Sequence, residues 1–140
     1  MAAVTSIMRA QQIYLTRVDA VLRPLELTFA RYELLTLLSF TRSGSLPLGK
    51  VGARLQVHPA SVTNAVDRLE RDGLVVRQPH PTDGRMTLAR ITPKGRRISL
   101  KATALLNSRV FEAPGLGQAD TELLTQLLES VRHDADDLAD

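Results

Sequence analysis

The stretch Pro59-Ala60-Ser61-Val62-Thr63-Asn64-Ala65-Val66-Asp67-Arg68-Leu69-Glu70-Arg71-Asp72-Gly73 carries the clearest pattern in the chain. Val62, Ala65, Val66 and Leu69 fall at i, i+3, i+4 and i+7, the spacing of one buried helical stripe. Gly73 stands where a left-handed residue ends such a helix. Pro59 suits the first helical position, where its missing N–H leaves no bond unmade. The face opposite the stripe carries Ala60, Thr63, Asn64, Asp67 and Arg71, flanked by Ser61 and Arg68. Short polar groups with arginines beside them form a surface that can press against base edges.

The neighbours of this helix sharpen the reading. Upstream, Leu48, Val51 and Leu55 share one face of a short helix over Leu48–Leu55, and Gln56-Val57-His58 makes a turn. His58 stands at the N-cap, where Ser or Thr caps better, so a phosphate contact is its other reading. Downstream, Leu74–Gln78 and Met86–Ile91 are β-prone and enclose a run of turn formers, Pro79–Arg85. Asp83-Gly84 signals a tight turn with glycine at positive φ, giving a two-stranded hairpin with Arg85 at its tip. Two helices across a tight turn, then a hairpin, spell a winged helix-turn-helix. Arg85 is either a plain turn arginine or a probe for the negative potential of a narrow minor groove; beside the polar helix the second reading is favoured. Asp83 is placed to hold its guanidinium. Arg77 and Arg90, on the two strands, are candidates to flank a phosphate backbone, and Arg68 either reaches DNA or pairs with a nearby acid.

Helices fill the flanks. Ile7, Leu15, Val18, Leu22 and Leu25 keep a helical stripe through residues 1–25, which outweighs a transit-peptide reading of Arg9, Arg17 and Arg23. Thr28 caps a helix to about Thr41 that buries Leu34, Leu35, Leu37 and Leu38, and Arg42–Pro47 reads as a loop. Thr92-Pro93 opens a helix through Ile98, Ala102, Leu105, Leu106 and Val110, and Pro114–Gly117 breaks it. Asp120 or Thr121 then caps a last helix striped by Leu124, Leu127, Leu128 and Val131, with a fraying acidic tail, His133–Asp140. The expected fold is mainly α. It divides into an N-terminal dimerisation helix (1–27), the winged helix-turn-helix (28–97) and C-terminal dimerisation helices (98–140). The terminal stripes exceed what one small domain can hide, so a second, identical chain is expected to cover them.

Composition narrows the function classes. The chain has 140 residues, 44% apolar and 24% charged, and no apolar run long enough to span a bilayer. It has no cysteine, which excludes thiolate metal sites, cysteine nucleophiles and disulfides, and no tryptophan. Residues 1–25 lack the apolar core of a secretory signal, so a cytoplasmic location is expected. Charge is uneven: residues 45–97 hold ten Lys/Arg against four acids, while residues 98–140 hold three against eight. The middle suits a polyanion, and the end faces something else. Gly44-x4-Gly49-Lys50 copies part of a phosphate loop, but Val51 stands where a Mg²⁺-binding hydroxyl is required. His58, His80 and His133 show no metal-ligand pairing, and no nucleophile–base set appears, so neither an enzyme nor a cofactor is expected.

With these residues assembled, the chain resembles the MarR family of transcriptional regulators. Pro59–Val75 is similar to the family's recognition helix and its exit, Asp83-Gly84-Arg85 to its Asp-x-Arg wing tip, and Ile91-Thr92-Pro93-Lys94-Gly95 to the opening of its long fifth helix. The order of elements agrees from about residue 5 to residue 133. The resemblance implies a homodimer whose first, fifth and sixth helices interlock, and two lobes reading successive major grooves of pseudo-palindromic double-stranded DNA. It places Ser61, Thr63, Asn64 and Arg68 in the major groove and Arg85 in the minor groove, held by Asp83. It also implies a repressor released by a small aromatic or phenolic effector; the lack of cysteine excludes the thiol-based peroxide-sensing branch. The alternative from another class is a winged-helix adaptor that turns its basic face to an acidic protein and binds DNA without sequence preference.

Overall fold

The computed structural model describes residues 1–137 and confirms a mainly α winged helix-turn-helix. Helix α1 (Ala2–Leu22) buries Val18, Val21 and Leu22, spaced i, i+3 and i+4, at its C-terminal end. A 3₁₀ turn at Arg23–Leu25, with Pro24 inside it, ends at Glu26 in the left-handed region (φ 57°). The chain thereby turns into α2 (Phe29–Phe40). Thr28 caps α2 by accepting a hydrogen bond from Arg31 N at 3.4 Å, and Leu34, Leu35 and Leu38 are buried. Leu37, expected with them, is only partly covered.

The segment Arg42–Pro47 is not wholly a loop: Ser45–Pro47 forms strand β1. It pairs antiparallel with β3 (Thr87–Ile91), Ser45 opposite Arg90, so the expected two-stranded hairpin is a three-stranded sheet ordered β1-β3-β2. Helices α3 (Leu48–Leu55) and α4 (Pro59–Arg71) follow as expected, and Gly73 ends α4 with φ 73°. Strand β2 (Val75–Pro79) pairs with β3 from Val75 opposite Ile91 to Pro79 opposite Thr87.

Helix α5 (Pro93–Leu106) docks on the end of α4 through a compact junction. Thr92 Oγ1 accepts from Gly95 N at 3.0 Å and donates to Gly73 O at 2.8 Å, and Lys94 Nζ donates to Asp72 O at 2.9 Å. A Cβ at Gly95 would collide with the Leu74 carbonyl oxygen, so close approach requires glycine there. A π-helical turn (Asn107–Phe111) ends α5, and Tyr14 Oη anchors the following linker by donating to Pro114 O at 2.5 Å. Helix α6 (Gln118–Asp137) starts before Asp120 and Thr121; Thr121 N donates to Gly117 O, so neither residue is the cap. The helix runs through His133–Asp137, where fraying was expected, and residues 138–140 of that tail lie outside the described residues.

One core joins these elements: Leu22, Leu34, Leu35, Leu38, Val51, Val66, Leu69, Val75 and Leu106 are all sealed from solvent. Burial of each leucine contributes about 1.5–3 kcal/mol. No described helix is long and apolar enough to cross a membrane.

Candidate nucleic-acid interface

Helix α4 turns Val62, Val66 and Leu69 into the core, which leaves Ser61, Thr63 and Asn64 exposed on its first turns. Thr63 Oγ1 donates back to Pro59 O at 3.2 Å and keeps its acceptor lone pairs. Among the described residues no hydrogen bond engages the side chains of Ser61 or Asn64. The N-terminal end of α4 is closed by His58, whose Nδ1 accepts from Ala60 N at 3.1 Å. The residue that looked anomalous at the cap is therefore the cap.

The arginines of this region divide into engaged and open ones. Arg68 Nε meets Asp72 Oδ2 at 3.1 Å across one helical turn, the pairing that competed with a DNA contact in the sequence reading. Arg77 Nη1 donates to Glu70 Oε2 at 2.6 Å, its Nη2 to Asp67 Oδ1 at 2.5 Å, and its backbone N to Glu70 Oε1 at 3.1 Å. The Arg77 amide and guanidinium hold Glu70 below the usual carboxylate range. Partial burial works against the Arg77 charge, but its two carboxylate partners outweigh that and raise its pKa. Arg77 and Arg90 do not share a face of the sheet. Arg77 lies opposite Ala89 and Arg90 opposite Val76, adjacent pairs in an alternating ladder, so the two side chains leave opposite faces of the sheet. Arg90 is exposed and makes no ion pair among the described residues. Helix α4 is also less basic than its arginines suggest, with two of them against three acids over residues 59–72. Among the described residues Arg71 is the unpaired arginine of α4, and further unpaired cations, Lys50, Arg85 and Arg90, sit on α3 and the wing.

The wing departs from the expected tight turn. Its strands close at Pro79 opposite Thr87, and His80 N donates to Met86 O at 3.1 Å, leaving a loop of several residues. Gly84 does not adopt positive φ. Asp83 does not hold the Arg85 guanidinium; its Oδ1 accepts from the Arg85 backbone N at 3.0 Å. With a carbonyl–amide bond from Met86 N to Asp83 O at 3.1 Å, this shapes the turn and leaves the Arg85 guanidinium in solvent. Arg85, Met86 and Thr87 form one wall of a groove whose other wall is Pro47, Leu48, Gly49 and Lys50. Two cations thus border one cleft. The phosphate-loop spacing Gly44-x4-Gly49-Lys50 is interrupted by β1, and Gly44 O accepts from Ile91 N instead.

Two cavities lie behind the interface. One, of about 350 Å³, is lined by Tyr14, Leu15, Phe29, Val110 and Phe111 beside Pro114. Phe29 also stacks on Tyr32 at 6.2 Å between ring centroids. Four of the chain's five aromatics, Tyr14, Phe29, Tyr32 and Phe111, therefore gather in one place, a signal that their count alone concealed. The other cavity, of about 30 Å³ and so the size of one water, lies between α2 and the start of α4 against Glu33, Ser61 and Ala65. Burial pushes the Glu33 carboxyl up from its ordinary pKa.

The comparisons with known proteins agree with this geometry. The family model described as MarR family matches residues 27–87, from the approach to α2 through the wing. The HTH-type transcriptional repressor IacR of Pseudomonas putida is 30% identical over 129 residues, covering 89% of this chain and 74% of its own. The crystal structure of Sco5413, a MarR family transcriptional regulator from Streptomyces coelicolor, superposes with a TM-score of 0.89 at 52% identity, over 98% of this chain and 95% of that one. CouR from Rhodococcus jostii RHA1, solved bound to p-coumaroyl-CoA, gives 0.78 at 27% identity over 89% and 87% of the two chains. Fold, recognition helix and relatives converge: this chain belongs to the MarR family of DNA-binding transcriptional regulators.

Proposed function

We propose that the chain acts as a homodimeric repressor on a pseudo-palindromic operator and is released by a small aromatic effector. The observation that carries the DNA reading is the exposed first half of α4. There Ser61, Thr63 and Asn64 stand on a helix anchored by a fully buried stripe, while its acids are compensated by Arg68 and Arg77. Those three residues read base edges in the major groove. Arg85 enters the minor groove, its backbone set by Asp83, and Lys50 and Arg90 meet phosphates. Arg68 and Arg77 contribute by neutralising Asp72, Asp67 and Glu70 rather than by direct readout.

Dimerisation is supported by α1 and α6, whose apolar side chains Ile7, Met8, Leu123, Leu127 and Val131 are 43%, 60%, 54%, 58% and 60% exposed. These flanks act as dimerisation segments around a DNA-binding unit at 28–97. The aromatic cavity lies between α1, the start of α2 and the π-helical turn, where a ligand would set the angle between flanks and lobe. CouR, with p-coumaroyl-CoA bound, supports an aromatic ligand class.

Selection of bound duplexes from a random pool at about 50 and 200 mM salt tests this reading, because phosphate-only binding collapses over that range. The expected result is a pseudo-palindrome with half-sites about one helical turn apart. Recovery of no motif, with binding lost as salt rises, would overturn it in favour of the adaptor.

A further inference from the structure

The dipeptide His-Pro occurs twice in the chain, and each copy opens an element assigned to DNA reading. His58-Pro59 begins α4, and His80-Pro81 begins the wing tip. The same bond forms at both places. His58 Nδ1 accepts from Ala60 N at 3.1 Å, and His80 Nδ1 accepts from Thr82 N at 3.2 Å. His80 Nδ1 also receives Asp83 N at 3.1 Å.

The pairing has a physical basis. Proline has no N–H to offer and fixes its own φ, so the first amide left to satisfy lies two residues beyond the histidine. An imidazole carrying its proton on Nε2 presents Nδ1 to that amide, as an Asn or Asp side chain does in a capping turn. The wing bonds then run in series. His80 fixes the Asp83 amide, and the Asp83 carboxylate fixes the Arg85 amide. Met86 N closes onto Asp83 O, and His80 N onto Met86 O.

We propose that His58 and His80 are positioning residues for DNA recognition, imidazole caps that preset the first turn of α4 and the wing tip before DNA arrives. Neither reads a base. His58 acts through Ser61, Thr63 and Asn64, and His80 through Asp83 and Arg85. This rests on the DNA reading above, and the experiment separates the two.

The variants are His58→Ala and His80→Ala, with His58→Asn and His80→Asn restoring a side-chain acceptor without the ring. Amide hydrogen exchange on the free protein is the first readout. His80→Ala is expected to speed exchange at Thr82 and Asp83, His58→Ala at Ala60, and each Asn variant to restore protection. Affinity for the duplexes selected by the wild-type protein is the second. Each Ala variant is expected to bind about five- to tenfold more weakly and each Asn variant within about twofold of wild type. Repeating the selection gives the third: His80→Ala should relax preference only in the flanking minor groove, and His58→Ala only within the half-sites.

Unchanged exchange in the Ala variants would overturn the caps while leaving the DNA reading intact. Faster exchange with unchanged affinity would show the caps to be merely structural and overturn their positioning role. If Asn fails to rescue affinity, the imidazole itself contacts DNA and the assignment is wrong. A wild-type selection without a motif would overturn the DNA reading, whatever the amides do.

Discussion

Helices α2 to α4 and the sheet have their apolar stripes covered by one another, by the C-terminal end of α1 and by α5, whereas α6 and the N-terminal half of α1 leave theirs in solvent. Leu34 on α2 is 1% exposed, and Leu127 on α6 is 58% exposed. The two regions have similar helical patterns and differ in where the covering surface lies. In the lobe it comes from the same chain, through α1, α3, α4, α5 and the sheet. At the ends nothing among the described residues supplies it, and α6 is the more acidic partner in that contrast, with six acids and one arginine over residues 118–137. An apolar stripe therefore specifies a helix without saying whose surface completes it.

The contrast is broken most severely at α6. Leu127→Glu together with Val131→Glu should dissociate the proposed dimer while leaving the lobe folded. Operator affinity should then fall by at least about 100-fold, because the two half-sites lose their linkage. Sedimentation and titration measure both effects, and a variant that stays dimeric would remove α6 from the interface.

Within the lobe, Gly95→Ala should cost about 2–3 kcal/mol in thermal or denaturant unfolding, since the backbone carbonyl of Leu74 cannot step aside as a side chain would. Retained stability would mean that α5 can shift away from the junction. Arg85→Ala should leave stability alone and weaken operator binding by about 1–3 kcal/mol. Unchanged affinity would take the wing out of the interface.

The smallest effects concern two carboxyls of opposite sign. Burial raises the pKa of Glu33, so its ionised form is disfavoured in the folded lobe and it lowers stability at pH 7. Glu33→Gln should raise the melting temperature at pH 7, and its advantage should shrink as pH falls through the raised pKa toward 4.5. Glu70 is depressed by Arg77, so its contribution is full above the unfolded value of 4.5 and is lost as pH falls through the lower folded value. Melting curves of Glu70→Gln should therefore lie below wild type at pH 7 and converge with it in acid. Curves parallel to wild type at every pH would contradict either assignment.

What the sequence disclosed were the features written in local code. Thr28, Pro59, Gly73 and Thr92 mark helix ends by chemistry that acts within a few residues, and each stands where it was expected. Strand β1 escaped because it is three residues long, ends in proline and is defined by pairing with Arg90 and its neighbours, far along the chain. The ion pairs of Arg77 are hidden in the sequence for a related reason. The partners Asp67 and Glu70 sit a full helix-to-strand turn upstream, although their i, i+3 spacing on the exposed face of α4 and the arginine just past Gly73 were visible clues. Asp83 was read as a charge partner when it serves as a backbone cap, a choice that depends on turn geometry. The repeated His-Pro is in plain view, but only His58 stands at a recognisable helix start, whereas the cap made by His80 depends on turn geometry.

In the proposed complex two identical lobes, held by the uncovered flanks, read DNA at a fixed separation. Inserting about five base pairs between the half-sites of the selected operator turns one half-site to the far side of the duplex while leaving every base contact available. Affinity should then fall by at least about 100-fold, to the level of a single half-site. Affinity unchanged by the insertion would show that the lobes act independently and would contradict that arrangement.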